Sequence, residues 1–128
     1  MSETLFHNIT ELDTAYLNEA YANDAETAAL VFEQYLQELP SNLSQLKESL
    51  RGNDIAGFRQ NIHKQKPCFS YVGLTDVTKK LHELQVKCVV LEDLVLYKTE
   101  IEEVLRRIYS SAGLIERTLV HLKKINRA

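Results

Sequence analysis

Between residues 25 and 50, apolar side chains recur in steps of four and three without a break: Ala25, Ala29, Phe32, Leu36, Leu39, Leu43, Leu46 and Leu50. A spacing that averages about 3.5 residues draws one straight stripe along a helix and marks left-handed bundle packing. Such a helix cannot bury its stripe alone, so the pattern demands partner helices. The chain supplies them. Ile101, Leu105, Ile108, Ala112, Ile115, Leu119 and Leu122 repeat the rhythm, and Val77, Leu81, Leu84, Cys88 and Leu91 carry a shorter version. A fourth stripe, Ile55, Phe58, Ile62, Gln65, Phe69 and Val72, is interrupted at Gln65, whose amide must find a partner or lean outward. No stretch alternates with the period of two that a half-buried strand needs. The pattern therefore predicts an all-α fold, an up-down four-helix bundle with an additional short N-terminal helix over one end, built as a single domain over residues 1–128.

The expected helices span about residues 10–22, 24–51, 54–72, 75–90 and 94–126. Thr10 is the candidate cap of the first, and Asn23 with Glu26 forms a capping box for the second. The stripe passes Pro40 in phase, which predicts one kinked helix; the alternative is a break at Leu39 and a new helix capped by Ser41. Gly52 and Asn53 end it, and Asn53 or Asp54 caps the third helix, which Gly73 stops. Thr75 is the candidate cap of the fourth, whose end is open because Val89, Val90 and Leu91 can continue the helix or turn away. The fifth starts near Leu94 or, by a second capping box, at Thr99 with Glu102. Gly113 costs a helix interior about 1 kcal/mol relative to Ala, yet the last stripe runs through it in phase.

With 128 residues, 45% of them apolar, the chain can build one core. No run of about 18 apolar residues predicts a membrane span. The acidic start Met-Ser-Glu-Thr, without an apolar signal core, leads to the expectation of a cytoplasmic protein. Cys68 and Cys88 sit within helical apolar patterns and read as reduced thiols rather than a disulfide or metal pair. Net charge is −3, but unevenly spread: residues 1–50 hold nine acidic side chains and one basic one, whereas residues 51–80 hold six basic and two acidic. The acidic remainder and a pI near 5.8 argue against nucleic acid as the partner of the basic stretch. A partner with an acidic pocket fits better.

Within that basic stretch His63 directly follows the apolar Ile62, so it is turned about 100° from the buried face, toward water. Lys66 lies three residues on and Arg59 four residues back, both on the same helix surface. The neighbouring Ala56, Pro67 and Ser70 are short and leave the ring open. A solvated imidazole amid fixed positive charge is suited to holding a phosphoryl group. A neutral imidazole, with an ordinary pKa of about 6.5, has a free lone pair near neutral pH.

His63, Lys66, Gly73 and the apolar Leu74, on the third of five helices, resemble the signature of histidine-containing phosphotransfer (HPt) domains, roughly His-x-x-Lys-Gly followed by a closing Gly and an apolar residue. The resemblance covers nearly the whole chain. It departs at Pro67, where a small Gly usually follows the Lys, and at Gln65, where Leu is common. Pro67 cannot donate to the His63 carbonyl, so a bend there is expected to tilt the ring outward. The resemblance implies a phosphoryl carrier of a two-component phosphorelay. His63 accepts phosphate from a receiver-domain aspartate and passes it to another receiver domain. Lys66 neutralises phosphoryl charge, while Arg59, Lys64, Pro67 and Ser70 face the partner and Gly73 is structural. Gln85, on the neighbouring helix, corresponds to a Gln that hydrogen-bonds the histidine and orients it. It also implies no enzyme machinery and no cofactor in this chain, the magnesium ion residing on the receiver domains of hybrid sensor kinases and response regulators. All apolar stripes can be spent within one bundle, so a monomer that binds neither nucleic acid nor membrane is expected.

Two other readings compete. One is a non-phosphorylated helical adaptor that binds a receiver domain or another signalling partner. The other, a small hydrolase or metal enzyme, lacks its residues: His82 in Lys-Leu-His-Glu-Leu has Val86 where a zinc motif needs a second His. His7 and His121, near the ends, read as solvated, and Glu100, Glu102 and Glu103 as favourable charges at a helix N-terminus.

Overall fold

A computed structural model describes residues 5, 6, 9, 11–90 and 93–127, and among them the regular structure is entirely helical. Five α-helices follow one another: α1 (Thr14–Tyr21), α2 (Ala25–Arg51), α3 (Ile55–Tyr71), α4 (Thr75–Lys87) and α5 (Lys98–Arg127). A short 3-10 turn, Leu94–Tyr97, leads into α5. The four long stripes meet in one core, with Phe32, Leu46, Phe58, Ile62, Phe69, Leu81, Leu84 and Ile101 sealed from solvent. Burying each such side chain contributes about 1.5–3 kcal/mol. In the bundle α2 packs on α3, α3 on α4, α4 on α5 and α5 back on α2, while α1 covers α2.

The first three helices each start where an aspartate side chain takes up a free amide. The predicted cap Thr10 lies outside the described residues; α1 begins at Thr14, and Asp13 caps it by accepting the Tyr16 N–H at 3.1 Å. Leu12, predicted on this helix, precedes it and is nevertheless buried. The capping box of Asn23 and Glu26 gives way to Asp24, whose two carboxylate oxygens accept the Thr27 amide at 2.9 Å and hydroxyl at 2.7 Å. Those two bonds, the amide first, hold the Asp24 carboxyl below the usual range. α2 then runs through Pro40 as one helix, with no restart at Ser41. Pro40 faces solvent, so its ring displaces no core side chain.

Asp54 caps α3 by accepting the Gly57 N–H at 3.0 Å. Its C-terminus closes on Gly73, at φ 83°: Gly73 donates to the Ser70 carbonyl at 3.0 Å and Leu74 to the Phe69 carbonyl at 2.9 Å. This paired closure needs a left-handed residue. A Cβ at Gly73 would also lie 2.7 Å from a Leu17 methyl, so any side chain there is strained and forces Leu17 to shift. Thr75 is not a cap. It is the first residue of α4, and its hydroxyl donates to Asp13 at 2.9 Å, tying the start of α1 to the α3–α4 turn. α4 ends at Lys87, not at 90; residues 88–90 form a turn with Val89 and Val90 in solvent, and Leu91 is outside the described residues. α5 does not begin at Thr99. Asp93 caps the preceding 3-10 turn through the Val95 amide at 2.9 Å, and the chain passes into α5 at Lys98 and on through Gly113. Glu100 joins α5 to α4 through Lys80 at 3.1 Å and Lys87 at 3.4 Å.

Both thiols are free, and burial pushes each of them up. Among the described residues no helix is long and apolar enough to cross a membrane.

Candidate functional site

His63 stands on the outer side of α3, exposed, one residue past the fully buried Ile62. The ring is backed by α4: the Gln85 amide nitrogen lies 3.3 Å from His63 Nδ1. The other ring nitrogen is thereby the one left for a reactant. In this orientation the amide N–H donates to Nδ1, and Gln85 Oε1 is buried without a partner. Turned over, the amide oxygen would accept from Nδ1–H instead. Amide orientation and ring tautomer are therefore set together.

Lys66 does not stand free in solvent beside His63. Its ammonium lies 3.0 Å from His82 Nδ1, on α4. One turn further, the Ser70 and Thr78 hydroxyls meet at 2.8 Å, and Thr78 also reaches the Lys66 carbonyl at 3.4 Å. The three pairs follow one rule. Each advance of three or four residues along α3 is matched by an equal retreat along α4, as antiparallel neighbours require. His82 is thus part of the site, although its local sequence points only to a failed zinc motif. The signal that would have found it is the register: once Gln85 is set against His63, His82 falls against Lys66.

The other predicted partner-facing residues divide. Arg59, Lys64 and Pro67 are exposed, whereas Ser70 is half-buried and its hydroxyl is engaged by Thr78. α3 continues through Pro67 to Tyr71. Val86 on α4, Val89 in the turn after it and Tyr71 at the end of α3 are exposed apolar side chains that the sequence reading did not single out. Gln65, by contrast, points inward. It is 2% exposed, and its amide nitrogen donates to the Asn42 carbonyl and to Gln45 Oε1, each at 3.2 Å. Among the described residues no three His, Cys, Asp or Glu side chains converge as metal ligands.

A helical bundle with an exposed histidine braced from the adjacent helix fits a phosphotransfer module. The family model of the Hpt domain matches residues 30–112, more than half of the chain, and the chain belongs to that family. The match takes in α3 and α4 whole, and so His63, Lys66, His82 and Gln85. Hpt domains are phosphotransfer carriers rather than catalysts and interact with receiver domains in phosphorelays. Comparison with curated proteins returned no match, and comparison with solved structures returned none.

Proposed function

We propose that this protein is a phosphoryl carrier in a two-component phosphorelay and that His63 is the carrying residue. The observation that supports it best is an exposed His63 ring whose Nδ1 is engaged by Gln85 at 3.3 Å. With the Gln85 amide turned over, so that its oxygen accepts from Nδ1–H, the lone pair of Nε2 faces out. Nε2 attacks the phosphorus of an aspartyl phosphate in line. A nitrogen–phosphorus bond forms, the acyl phosphate P–O bond breaks, and the aspartate leaves as carboxylate. The proton on Nδ1 stays, stabilised by the Gln85 carbonyl. Transfer to a second receiver domain reverses these bonds.

Lys66 sits one helical turn from His63 and can exchange His82 for the phosphoryl oxygens, whose negative charge binds an ammonium more strongly than a neutral imidazole does. Arg59 and Lys64 contribute a weaker field and, with Pro67, face the partner. The partners are receiver domains of hybrid sensor kinases and response regulators, which bring the aspartate and the magnesium ion. This chain, a monomer, supplies no cofactor and no catalytic machinery of its own. The competing reading is an adaptor that binds a receiver domain without accepting phosphate. Incubation with a radiolabelled phospho-receiver separates the two: acid-labile, alkali-stable label on this chain supports the carrier, and stable binding without label supports the adaptor.

A further inference from the structure

On the opposite side of the ring of helices from the His63 seam, α2 and α5 leave an open groove of about 720 Å³. Its apolar lining comes from Leu50 of α2, Leu105 of α5 and Val95 of the 3-10 turn. Tyr109 stands in the lining, 72% exposed, with most of its ring open to a partner. The walls are basic. Lys47 and Arg51 line one side, and Lys98 and Arg106 the other, against a single carboxylate, Glu102. Four cations and one anion make the lining +3 on a chain whose net charge is −3. Among the described residues, Lys47, Lys98 and Arg106 have no ion-pair partner, and Arg51 pairs only with the exposed Glu48.

The placement of charge decides what fits. A phosphate needs cations converging on one point. Here they are spread: Lys47 and Arg51 lie about one turn apart, and Lys98 and Arg106 about two turns apart, at about 1.5 Å per residue. From Lys98 to Tyr109 the groove follows α5 for about 16 Å, or three helical turns. The complementary ligand is long, apolar along its centre and negative along both flanks. We infer that the α2–α5 groove is a docking site for an acidic amphipathic helix of a partner protein, bound by its apolar stripe on Leu50, Leu105 and Tyr109 with carboxylates against the basic walls. The inference does not depend on the chemistry of His63. The two seams are far enough apart around the bundle for both to be occupied together.

The test uses a fluorescein-labelled synthetic peptide of about 15 residues, long enough for four turns, with leucines at helical spacing and glutamates on both flanks. A twin peptide carries lysines for the glutamates. Fluorescence anisotropy with the full chain should show saturable binding of the acidic peptide, weakening about tenfold as salt screens the walls, and none of the basic twin. Lys47→Glu with Arg106→Glu should weaken binding at least tenfold, and Lys98→Glu alone several-fold. Circular dichroism should be unchanged, because all three residues are exposed. Phosphoryl transfer to His63 should persist in each variant. Equal binding of the two peptides overturns the proposal, as does undiminished binding by the folded charge-reversal variants. Sedimentation that shows wild-type chains pairing through this face, and Arg106→Glu abolishing the pairing, also overturns it, because the occupant is then a second copy.

Discussion

Helix α3 carries two polar seams, and they are built on different terms. Toward α2, Gln65 is sealed and holds two partners, while Asn61 reaches Ser49 at 3.0 Å and the Gln45 carbonyl at 3.4 Å. Toward α4, His63 and Lys66 each have one partner, in contacts open to water. A sealed amide that loses its partners suffers its full desolvation cost, so the inner seam is held shut by stability. An open contact can be traded for another at little cost, which leaves the outer seam available to a reactant. The difference teaches that the two departures from the family pattern have different meanings. Gln65 belongs to the inner seam, while Pro67 belongs to the exposed surface.

The largest effect that would sharpen this contrast is on transfer. His63→Gln should lose all label from a phospho-receiver while stability by urea titration changes by less than about 0.5 kcal/mol, as for an exposed position. Normal transfer by the variant would break the assignment. Gln65→Ala should do the reverse: a loss of about 2 kcal/mol from broken bonds and a cavity, with transfer intact. Gln65→Leu should be close to neutral, because it also removes Gln65 Oε1, a buried acceptor without a partner. A large loss in Gln65→Leu would show the amide network to be worth more than argued. Lys66→Ala should slow transfer about tenfold, the value of one charge-assisted bond. The smallest effects belong to the partners on α4. Gln85→Ala should slow transfer about threefold through loss of ring orientation, and His82→Ala should leave the rate within about twofold, since it only releases the Lys66 ammonium. A His82→Ala effect as large as that of Lys66→Ala would mean that His82 touches the phosphoryl group itself.

Much of this was legible in the chain. Stripes stepping by four and three announced the bundle, and their continuity through Pro40 and Gly113 announced unbroken helices. Helix starts were less legible, because oxygen-bearing side chains cluster at every junction: Asn23 beside Asp24, and Thr75 after a turn whose free amides need no side-chain cap. The end of α4 was hidden by Val89 and Val90, which extend an apolar run yet lie in solvent. His63 could be placed because a single neighbour, Ile62, fixed which way it faced. Its bond to Gln85 came only through the family resemblance. The Lys66–His82 contact requires the register of two antiparallel helices, and the basic groove requires residues near 50 and 100 brought together by topology. Neither is a local pattern.

The most direct test of the carrier assignment is to locate the label. Two histidines share the outer seam, and only His63 is argued to take the phosphoryl group. The chain is incubated with a phosphorylated receiver domain, digested at alkaline pH and read by tandem mass spectrometry. The account predicts phosphate on His63 alone; phosphate on His82, or on neither while a complex forms, would contradict it.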